Sequence, residues 1–164
     1  MPKPSLERHV VLVFPEIHWN TGNIGRSCLG AGACLHLIKP LGFSLQSRMI
    51  KRAGLDYWNR VNLSVWEDFE AFAEKTALDP SEAAIFTKTG RQPIWQIPKT
   101  TSRQFLIFGS ETNGLPEAIQ TKFDSAQTYY IPIREDIRSL NLSTAVGIAL
   151  YESLREGPDF HHWS

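Results

Sequence analysis

Short apolar runs rich in β-branched residues alternate along the chain with longer stretches in which apolar residues recur at helical spacing. The runs predict strands at residues 9–14, 35–38, 61–65, 83–87, 104–108 and 129–131. The other stretches predict helices or helical turns at residues 22–33, around 47–53, from 64 or 65 onward, from 116 onward and at 141–155. The last helix has an apolar stripe formed by Leu142, Val146, Ala149 and Leu150.

This alternation predicts an α/β fold with a mostly parallel sheet and helices on both of its faces. Residues 104–108 are continuously apolar, as a central parallel strand should be. Because ligands of such sheets bind beyond the carboxyl ends of the strands, the loops that follow strands are the places to look for function. The 164 residues suit one domain spanning 1–164, and residues 90–102, with two prolines, predict a loop that borders a binding site.

Composition adds little about the partner. The hydrophobic fraction of 42% is enough for a core, and 17 basic residues balance 17 acidic ones. A non-specific polyanion binder is usually basic, so any RNA contact must come from local groups such as Lys88 and Arg91 or the set Arg48, Lys51 and Arg52. The alternative for both sets is ordinary solvated surface charge.

Cys28 and Cys34 lack the spacing of zinc ligands, so no metal is expected, and two free, buried thiols indicate a reducing compartment. Residues 9–14 fit a strand better than a signal peptide, because no cleavage pattern follows them. No apolar run approaches the length that spans a membrane. The prediction is a cytoplasmic protein without a membrane partner.

The loop after the first strand contains two glycines at the start of a predicted helix, in the order Asn20-Thr21-Gly22-Asn23-Ile24-Gly25-Arg26. A helix start with free N–H groups is an anion site, and a G-x-x-G loop is also how KH domains clamp RNA backbones. The alternative is an ordinary helix start capped by Asn20 or Thr21. A dinucleotide-binding fingerprint is absent from this loop.

The loop after residues 104–108 reads Gly109-Ser110-Glu111-Thr112-Asn113-Gly114-Leu115-Pro116. Gly109 would let a ligand approach the backbone closely, and Glu111 is a candidate for catalysis or for binding a ligand hydroxyl. The alternative for Glu111 is a place near a helix N-terminus, where its charge favours the helix dipole.

A third loop, residues 131–143, crowds Ser139, Asn141 and Ser143 at the start of the last helix. All three are good helix caps, although one helix needs only one of them. The surplus of polar groups makes this loop a candidate for binding as well as for capping.

Together, in this order and spacing, the three loops resemble the SpoU class of SPOUT RNA 2′-O-methyltransferases, and the resemblance spans nearly the whole chain. It is nearest to the small, single-domain TrmL-type enzymes that methylate the wobble ribose of tRNA. Residues 37–43 and 52–58 also resemble that subgroup. The departures are Ser110, where the subgroup usually has proline, and the charged residues 134–137.

The resemblance implies a C-terminal trefoil knot, S-adenosylmethionine as the methyl donor, and a homodimer in which two subunits complete each active site. Carried over by motif position, the donor would contact Phe86, Thr87, Gly109, Ile131, Ser139 and Leu140. The residues that would face the RNA are Asn20, Arg26, Glu111 and Asn141. Arg26 is expected to be essential, since its guanidinium can grip a phosphate and stabilise a developing alkoxide, and Glu111 and Asn141 would orient it or the ribose.

The implied substrate is the anticodon stem-loop of tRNA, with cytidine or a modified uridine at the wobble position. Trp19, Tyr57 and Trp58 are candidates for stacking on bases, with core packing as the alternative, and Arg138 joins residues 48, 51 and 52 as a candidate for phosphate contacts. The last helix, with Phe160 and Trp163 of the tail, is expected at the dimer interface. The competing hypotheses are methylation of another tRNA or rRNA site, a non-catalytic RNA-binding module, and a dehydrogenase-like nucleotide-binding domain.

Overall fold

The computed structural model describes residues 6–46 and 55–157, whose centre is a parallel sheet of seven strands. In chain order the strands are β1 (Glu7–Val13), β2 (Cys34–Ile38), β3 (Leu63–Trp66), β4 (Ala83–Phe86), β5 (Gln92–Pro93), β6 (Arg103–Phe108) and β7 (Thr128–Tyr130). Their spatial order is β3-β2-β1-β6-β4-β7-β5, and each neighbouring pair is parallel. The predicted α/β fold with a parallel sheet is therefore confirmed, and β5, in what was predicted to be a loop, is the strand that the sequence pattern missed.

Within the described residues, three α-helices lie between strands, namely α1 (His18–Ala31), α2 (Phe69–Lys75) and α3 (Glu117–Gln120), and α4 (Leu142–Ser153) follows the last strand. Short 3₁₀ turns lie at Leu55–Arg60, Pro80–Glu82, Ile94–Gln96 and Ser125–Gln127. α2 begins later than predicted, because residues 63–66 continue as a strand and the Asp68 side chain then accepts from the Ala71 N–H as the N-cap. The helical turn predicted around 47–53 lies outside the described residues.

Apolar side chains cover both faces of the sheet. Along β1, Val10 and Leu12 join the cluster beneath α1 and α4, while Val11 and Val13 join the one beneath α2 and α3. This double burial explains why the central strands are continuously apolar, and it confirms the prediction of helices on both faces.

A chain of polar side chains crosses the second of these faces. The Trp66 Nε1–H donates to Nδ1 of His36 (3.0 Å), so the other nitrogen of His36 must carry its proton and donate to Nδ1 of His9 (2.8 Å). His9 in turn donates from Nε2 to the Glu7 carboxylate (2.6 Å). Burial first, and then the neighbouring His9, lower the pKa of His36 from 6.5 to about 3.

Arg8, at the start of β1, is only 1% exposed and fastens α4 to the segment before β6. Its guanidinium donates to the Ser153 carbonyl (2.9 Å) and hydroxyl (3.2 Å), and to the carbonyls of Thr101 (2.7 Å) and Lys99 (3.3 Å). Burial lowers the pKa of Arg8 to about 10, so the group stays charged at neutral pH. The sequence analysis did not single out this residue.

The loop between β4 and β5 crosses the end of β7. Thr87 N–H donates to the Tyr129 carbonyl (3.0 Å) and Arg91 N–H to the Thr128 carbonyl (3.1 Å). Gly90 lies between these two contacts, and a Cβ there would come within 2.3 Å of the Tyr129 carbonyl carbon. Only glycine allows the two segments to approach this closely.

The predictions about a membrane, a metal and the cysteines can be compared with the residues that the structure describes. No helix within residues 6–46 and 55–157 is long and apolar enough to cross a membrane. The same residues contain no cluster of three or more His, Cys, Asp or Glu side chains that would hold a metal ion. Both cysteines are free thiols, but Cys34 is half-buried, so only Cys28 matches the prediction of a buried thiol.

Candidate active site

A cavity of about 910 Å³ opens at the carboxyl ends of β4, β6 and β7. Three connections form its walls: the residues after β4, the loop after β6, and the long loop between β7 and α4. This is where ligands of parallel sheets bind, and the volume falls within the range of ligand pockets in proteins.

Aromatic rings form the floor of the cavity. The rings of Phe86 and Phe108 stack with their centroids 4.7 Å apart and their planes 8° apart, and the Tyr129 ring lies 6.0 Å from Phe86. All three are buried at the strand ends. The floor is therefore flat, apolar and rigid, which suits a planar aromatic ligand group.

The six residues that the resemblance assigned to the methyl donor all line this cavity. Phe86 and Thr87 come from the end of β4, Gly109 from the loop after β6, and Ile131, Ser139 and Leu140 from the loop before α4. Three of the four residues assigned to the RNA, Asn20, Glu111 and Asn141, line it as well. The structure thus brings residues from three separate motifs to one cavity.

Arg26 is not among the described residues that line the cavity. It lies on the exposed side of α1, and its Cζ atom is 5.5 Å from the centre of the Tyr57 ring. Within one chain, therefore, the fourth residue assigned to the RNA is separated from the other three.

Asn141 has two roles at the start of α4. Its side-chain oxygen accepts from the Ser143 N–H (2.9 Å), the Ser143 hydroxyl (2.6 Å) and the Thr144 N–H (3.4 Å), so it is the cap of the helix. Its amide donates to the side-chain oxygen of Asn20 in α1 (3.0 Å). Ser139 is exposed and does not cap α4, which leaves it at the cavity wall.

The alternative that Asn20 or Thr21 caps α1 is wrong, and so is the interpretation of Gly22 to Gly25 as a clamp-like loop. α1 begins at His18, and Gly22 and Gly25 are buried inside it. Gly25 makes room for Trp58, since a Cβ there would lie 2.6 Å from Cζ3 of that ring. Without a loop there is no G-x-x-G clamp, which removes the basis of the non-catalytic RNA-binding hypothesis.

The start of α1 is held instead by a reciprocal pair of carboxylates. Glu111 accepts from the backbone N–H groups of Glu16 (3.1 Å) and Ile17 (2.6 Å). Glu16 accepts from the Thr112 hydroxyl (2.7 Å) and N–H (3.4 Å). The contacts of Glu111 are therefore those of the alternative considered for it, a place beside a helix N-terminus. Glu16, which the sequence analysis passed over, is a further residue of the site.

The two carboxylates have opposite pKa shifts. Burial raises the pKa of Glu111 above its ordinary value, against the opposing effect of its backbone hydrogen bonds. Hydrogen bonds from the side chains of Thr112 and then Ser110 lower the pKa of Glu16. Glu111 is thus partly removed from solvent, and the hydrogen bonds of the pair join the segment before α1 to the loop after β6.

Gly109 lines the cavity and is also required by the loop itself. A Cβ at Gly109 would lie 2.0 Å from the Gly114 carbonyl carbon and from the Leu115 nitrogen. Backbone hydrogen bonds between Ser110 and Gly114 run in both directions (3.2 and 3.0 Å), and Gly114 has a φ of +65°. The second motif is thus a closed, rigid turn at the rim of the cavity.

The candidates for RNA contact are divided by the structure. Lys88 and Arg138 are exposed and line the cavity, whereas Arg91 is outside it. Trp19 is 54% exposed, but Tyr57 and Trp58 are partly buried against the core, as the packing alternative expected. Arg48, Lys51 and Arg52 lie outside the described residues, as do Phe160 and Trp163.

Comparison with known proteins agrees with this geometry. The sequence profile described as the SpoU rRNA Methylase family matches residues 7–151. The chain belongs to this family. The resemblance drawn from the three motifs is confirmed, and the chain is accordingly a methyltransferase rather than a dehydrogenase-like or a purely RNA-binding domain.

Individual SpoU relatives narrow the comparison. The tRNA (cytidine(34)-2′-O)-methyltransferase of Burkholderia cenocepacia is 42% identical over 148 residues, which cover 90% of this chain and 94% of the relative. A solved structure described as giving insights into the 2-OH methylation of C/U34 on tRNA is 42% identical, with a TM-score of 0.81 over 92% of this chain and 96% of its own. The SpoU methyltransferase AviRb from Streptomyces viridochromogenes, solved in complex with the cofactor AdoMet, shares the fold at 22% identity, with a TM-score of 0.79 over 95% of this chain and 62% of its own.

Proposed function

We propose that this protein transfers the methyl group of S-adenosylmethionine to the ribose 2′-hydroxyl of the wobble nucleotide of tRNA, a cytidine or a modified uridine. The observation that carries the proposal is the convergence of residues from the three motifs on one cavity in a member of the SpoU family. The relative from Burkholderia and the structure concerned with C/U34 support the choice of position 34.

The donor fits the cavity on chemical grounds. The stacked floor of Phe86 and Phe108 offers a surface for the adenine, and the backbone near Gly109 and Leu140 offers hydrogen-bonding groups for its edge. Thr87, Ile131 and Ser139 complete the set that would hold it. When bound, the donor supplies a methyl carbon made electrophilic by its sulfonium.

The ribose that accepts the methyl group would be bound by side-chain amides. Asn20 contributes only its oxygen to the bond with Asn141, which leaves its own NH₂ group for a ribose oxygen. Glu111 joins the loop after β6 to the backbone just before α1, so its contribution is to the shape of the site. With the donor bound, the 2′-oxygen would form its bond to the methyl carbon as the carbon–sulfur bond breaks, and the hydroxyl proton would leave to solvent.

Arg26 supplies positive charge to that step. A guanidinium remains protonated in proteins, so it does not accept the proton. Its planar fork can bind a phosphate at two points and stabilise the negative charge that develops on the 2′-oxygen.

Arg26 lies outside the cavity of its own chain. We therefore propose that the cavity receives Arg26 from the second subunit of a homodimer. α1 and α4 lie side by side, and exposed apolar side chains mark both: Trp19 on α1, and Ile148 and Tyr151 on α4. We place the homodimer interface on this pair of helices. Light scattering at micromolar concentration should give twice the chain mass, and a monomer would overturn this part of the proposal.

The C-terminal part of the chain is proposed to be threaded as a trefoil knot. β7 lies between β4 and β5, although the chain passes from β4 to β5 through residues 87–91 alone. The close crossing of Gly90 over Tyr129, and the attachment of the end of α4 to Arg8 and the segment 99–101, support such a path.

The test of the function is direct. The protein is incubated with labelled donor and total tRNA from a strain that lacks the enzyme, and the 2′-O-methyl group is mapped by mass spectrometry. Label at the wobble ribose, in the cytoplasmic tRNA pool where we expect the enzyme to work, supports the proposal. Label at another tRNA position, or only in rRNA, would overturn the substrate and leave the chemistry intact.

A further inference from the structure

The turn Leu55–Arg60 is attached to α1 by two adjacent aromatic residues. The ring of Trp58 occupies the space in front of Gly25. The Tyr57 hydroxyl donates to the carbonyl of Gly22 at 3.4 Å. The turn is therefore attached to α1 by the packing of the Trp58 ring and by a long hydrogen bond from Tyr57. Both contacts lie close to Arg26 in the sequence of the helix.

The face of the Tyr57 ring lies against the Arg26 guanidinium. The distance of 5.5 Å from Cζ to the ring centre is within the range of a cation–π contact. Among the described side chains, no carboxylate forms an ion pair with Arg26, and none accepts a hydrogen bond from it. For the part of the chain that the structure describes, the ring is thus the contact that holds this exposed side chain.

We propose that Tyr57 is a positioning residue that orients Arg26 for the methyl-transfer reaction, a role that rests on the proposed function. An aromatic ring can do this without cost to the chemistry. A carboxylate partner would neutralise the guanidinium and occupy its N–H donors, whereas a ring face leaves the charge and the donors available for phosphate and for the 2′-oxygen.

Two other roles for Tyr57 fit the structure less well. As a base-stacking residue it would need a free ring face, but it is partly buried and Arg26 covers one face. As a proton acceptor it would need a phenolate at neutral pH. Burial instead raises the pKa of Tyr57, against the opposing effect of Arg26, so the phenol keeps its proton.

The test compares three kinds of replacement at position 57 in the full chain. Tyr57→Phe keeps the ring and removes the hydroxyl, Tyr57→Leu removes the ring, and phenylalanines with one, two and three fluorines weaken the negative ring face stepwise at nearly constant shape. With tRNA, Tyr57→Leu should lower kcat/KM about 3- to 30-fold, the factor that a cation–π contact is worth, while Tyr57→Phe stays close to wild type. The fluorinated series should fall progressively between them, and the Kd for S-adenosylhomocysteine should not change in any variant.

A matched control is Trp95→Leu, which removes another exposed aromatic ring, at 55% exposure in the turn Ile94–Gln96, and should retain wild-type kcat/KM. Equal rates for Phe and trifluoro-Phe, or a wild-type rate for a folded Tyr57→Leu, would overturn the proposal. If the wild-type chain methylates no tRNA, the proposed function fails, and the NMR signal of the Arg26 Hε proton decides on the contact. Ring current should shift that signal upfield in wild type and in Tyr57→Phe but not in Tyr57→Leu; an unshifted wild-type signal overturns the proposal.

Discussion

The amide of Asn141 donates a 3.0 Å hydrogen bond to the side-chain oxygen of Asn20, joining the first helix to the last across 121 positions of sequence. The same Asn141 side chain caps α4 through its oxygen. One residue therefore combines a local role in the stability of a helix with a long-range role in the shape of the candidate site, and the two can be separated by mutation.

Asn141→Ser should keep the cap and lose the bridge, because serine is a good N-cap but too short to reach Asn20. Asn141→Ala should lose both. We expect the alanine variant to lose about 1 kcal/mol of unfolding free energy relative to the serine variant, and both to lose most of their methyl-transfer activity. Urea unfolding and a labelled-donor assay measure the two effects. An active serine variant would show that the bridge to Asn20 is dispensable.

Replacement of Arg26 should separate donor binding from catalysis. Arg26→Ala should abolish methyl transfer and leave the calorimetric Kd for S-adenosylhomocysteine unchanged, because Arg26 lies outside the cavity of its own chain. Arg26→Lys should fail as well, since lysine keeps the charge but lacks the planar fork. A near-normal rate for the lysine variant would exclude two-point phosphate binding.

Donor binding should stabilise the fold by mass action. At a free concentration of S-adenosylhomocysteine one hundred times its Kd, the stabilisation is about 2.7 kcal/mol, which a thermal melt detects as a clear rise in Tm. Phe86→Ala removes half of the stacked pair on the cavity floor and should reduce that rise at the same ligand concentration. Absence of any shift in the wild-type protein at saturating ligand would count against the assignment of the cavity to the donor.

The loop glycine should tolerate no side chain. Gly109→Ala would place its Cβ 2.0 Å from backbone atoms of Gly114 and Leu115, so we expect a large loss of stability or a failure to fold. Gly147→Ala is the matched control within α4. The nearest atom to its Cβ is the Ser27 hydroxyl at 4.0 Å, and alanine favours a helix by about 1 kcal/mol over glycine. Chemical denaturation of both variants checks the contrast, which equal stabilities would contradict.

The buried His36 predicts a loss of stability in acid. The folded-state pKa of His36 is about 3, below its unfolded value of 6.5, so its contribution is fully present above pH 6.5 and is lost as the pH falls towards 3. The free energy of unfolding should fall across this window by at most about 1.4 kcal/mol per pH unit for this group. In His36→Gln the titration is gone, so the stability gap between wild type and variant should narrow from pH 7 to pH 4. A gap that stays constant would assign the acid sensitivity to other groups.

Much of the fold and most of the candidate site could be predicted from the sequence, because both depend on local patterns. The apolar runs found β1 and β6, and the motif positions found the residues that line the cavity, from Phe86 to Asn141. Such signals lie within a few neighbouring residues, so they can be read without knowledge of the path of the chain.

The parts that were missed depend on contacts between distant segments. The alternative considered for the start of α1 was a cap from Asn20 or Thr21, whereas Glu111, 95 positions away from Glu16, supplies the acceptors. Arg8 gives no sequence signal, because its partners are mostly backbone carbonyls near residues 100 and 153. β5 is a strand only because β7 lies beside it, and neither its length nor its proline suggested pairing.

The third wall of the cavity comes from residues 129–145, near the end of the chain. The residues before 128 supply six of the seven strands but only two of the three walls. Under the proposed function, a chain that stops before residue 128 is expected to lack affinity for the donor. Donor occupancy would then report that the segment after β6 has taken its place against the sheet.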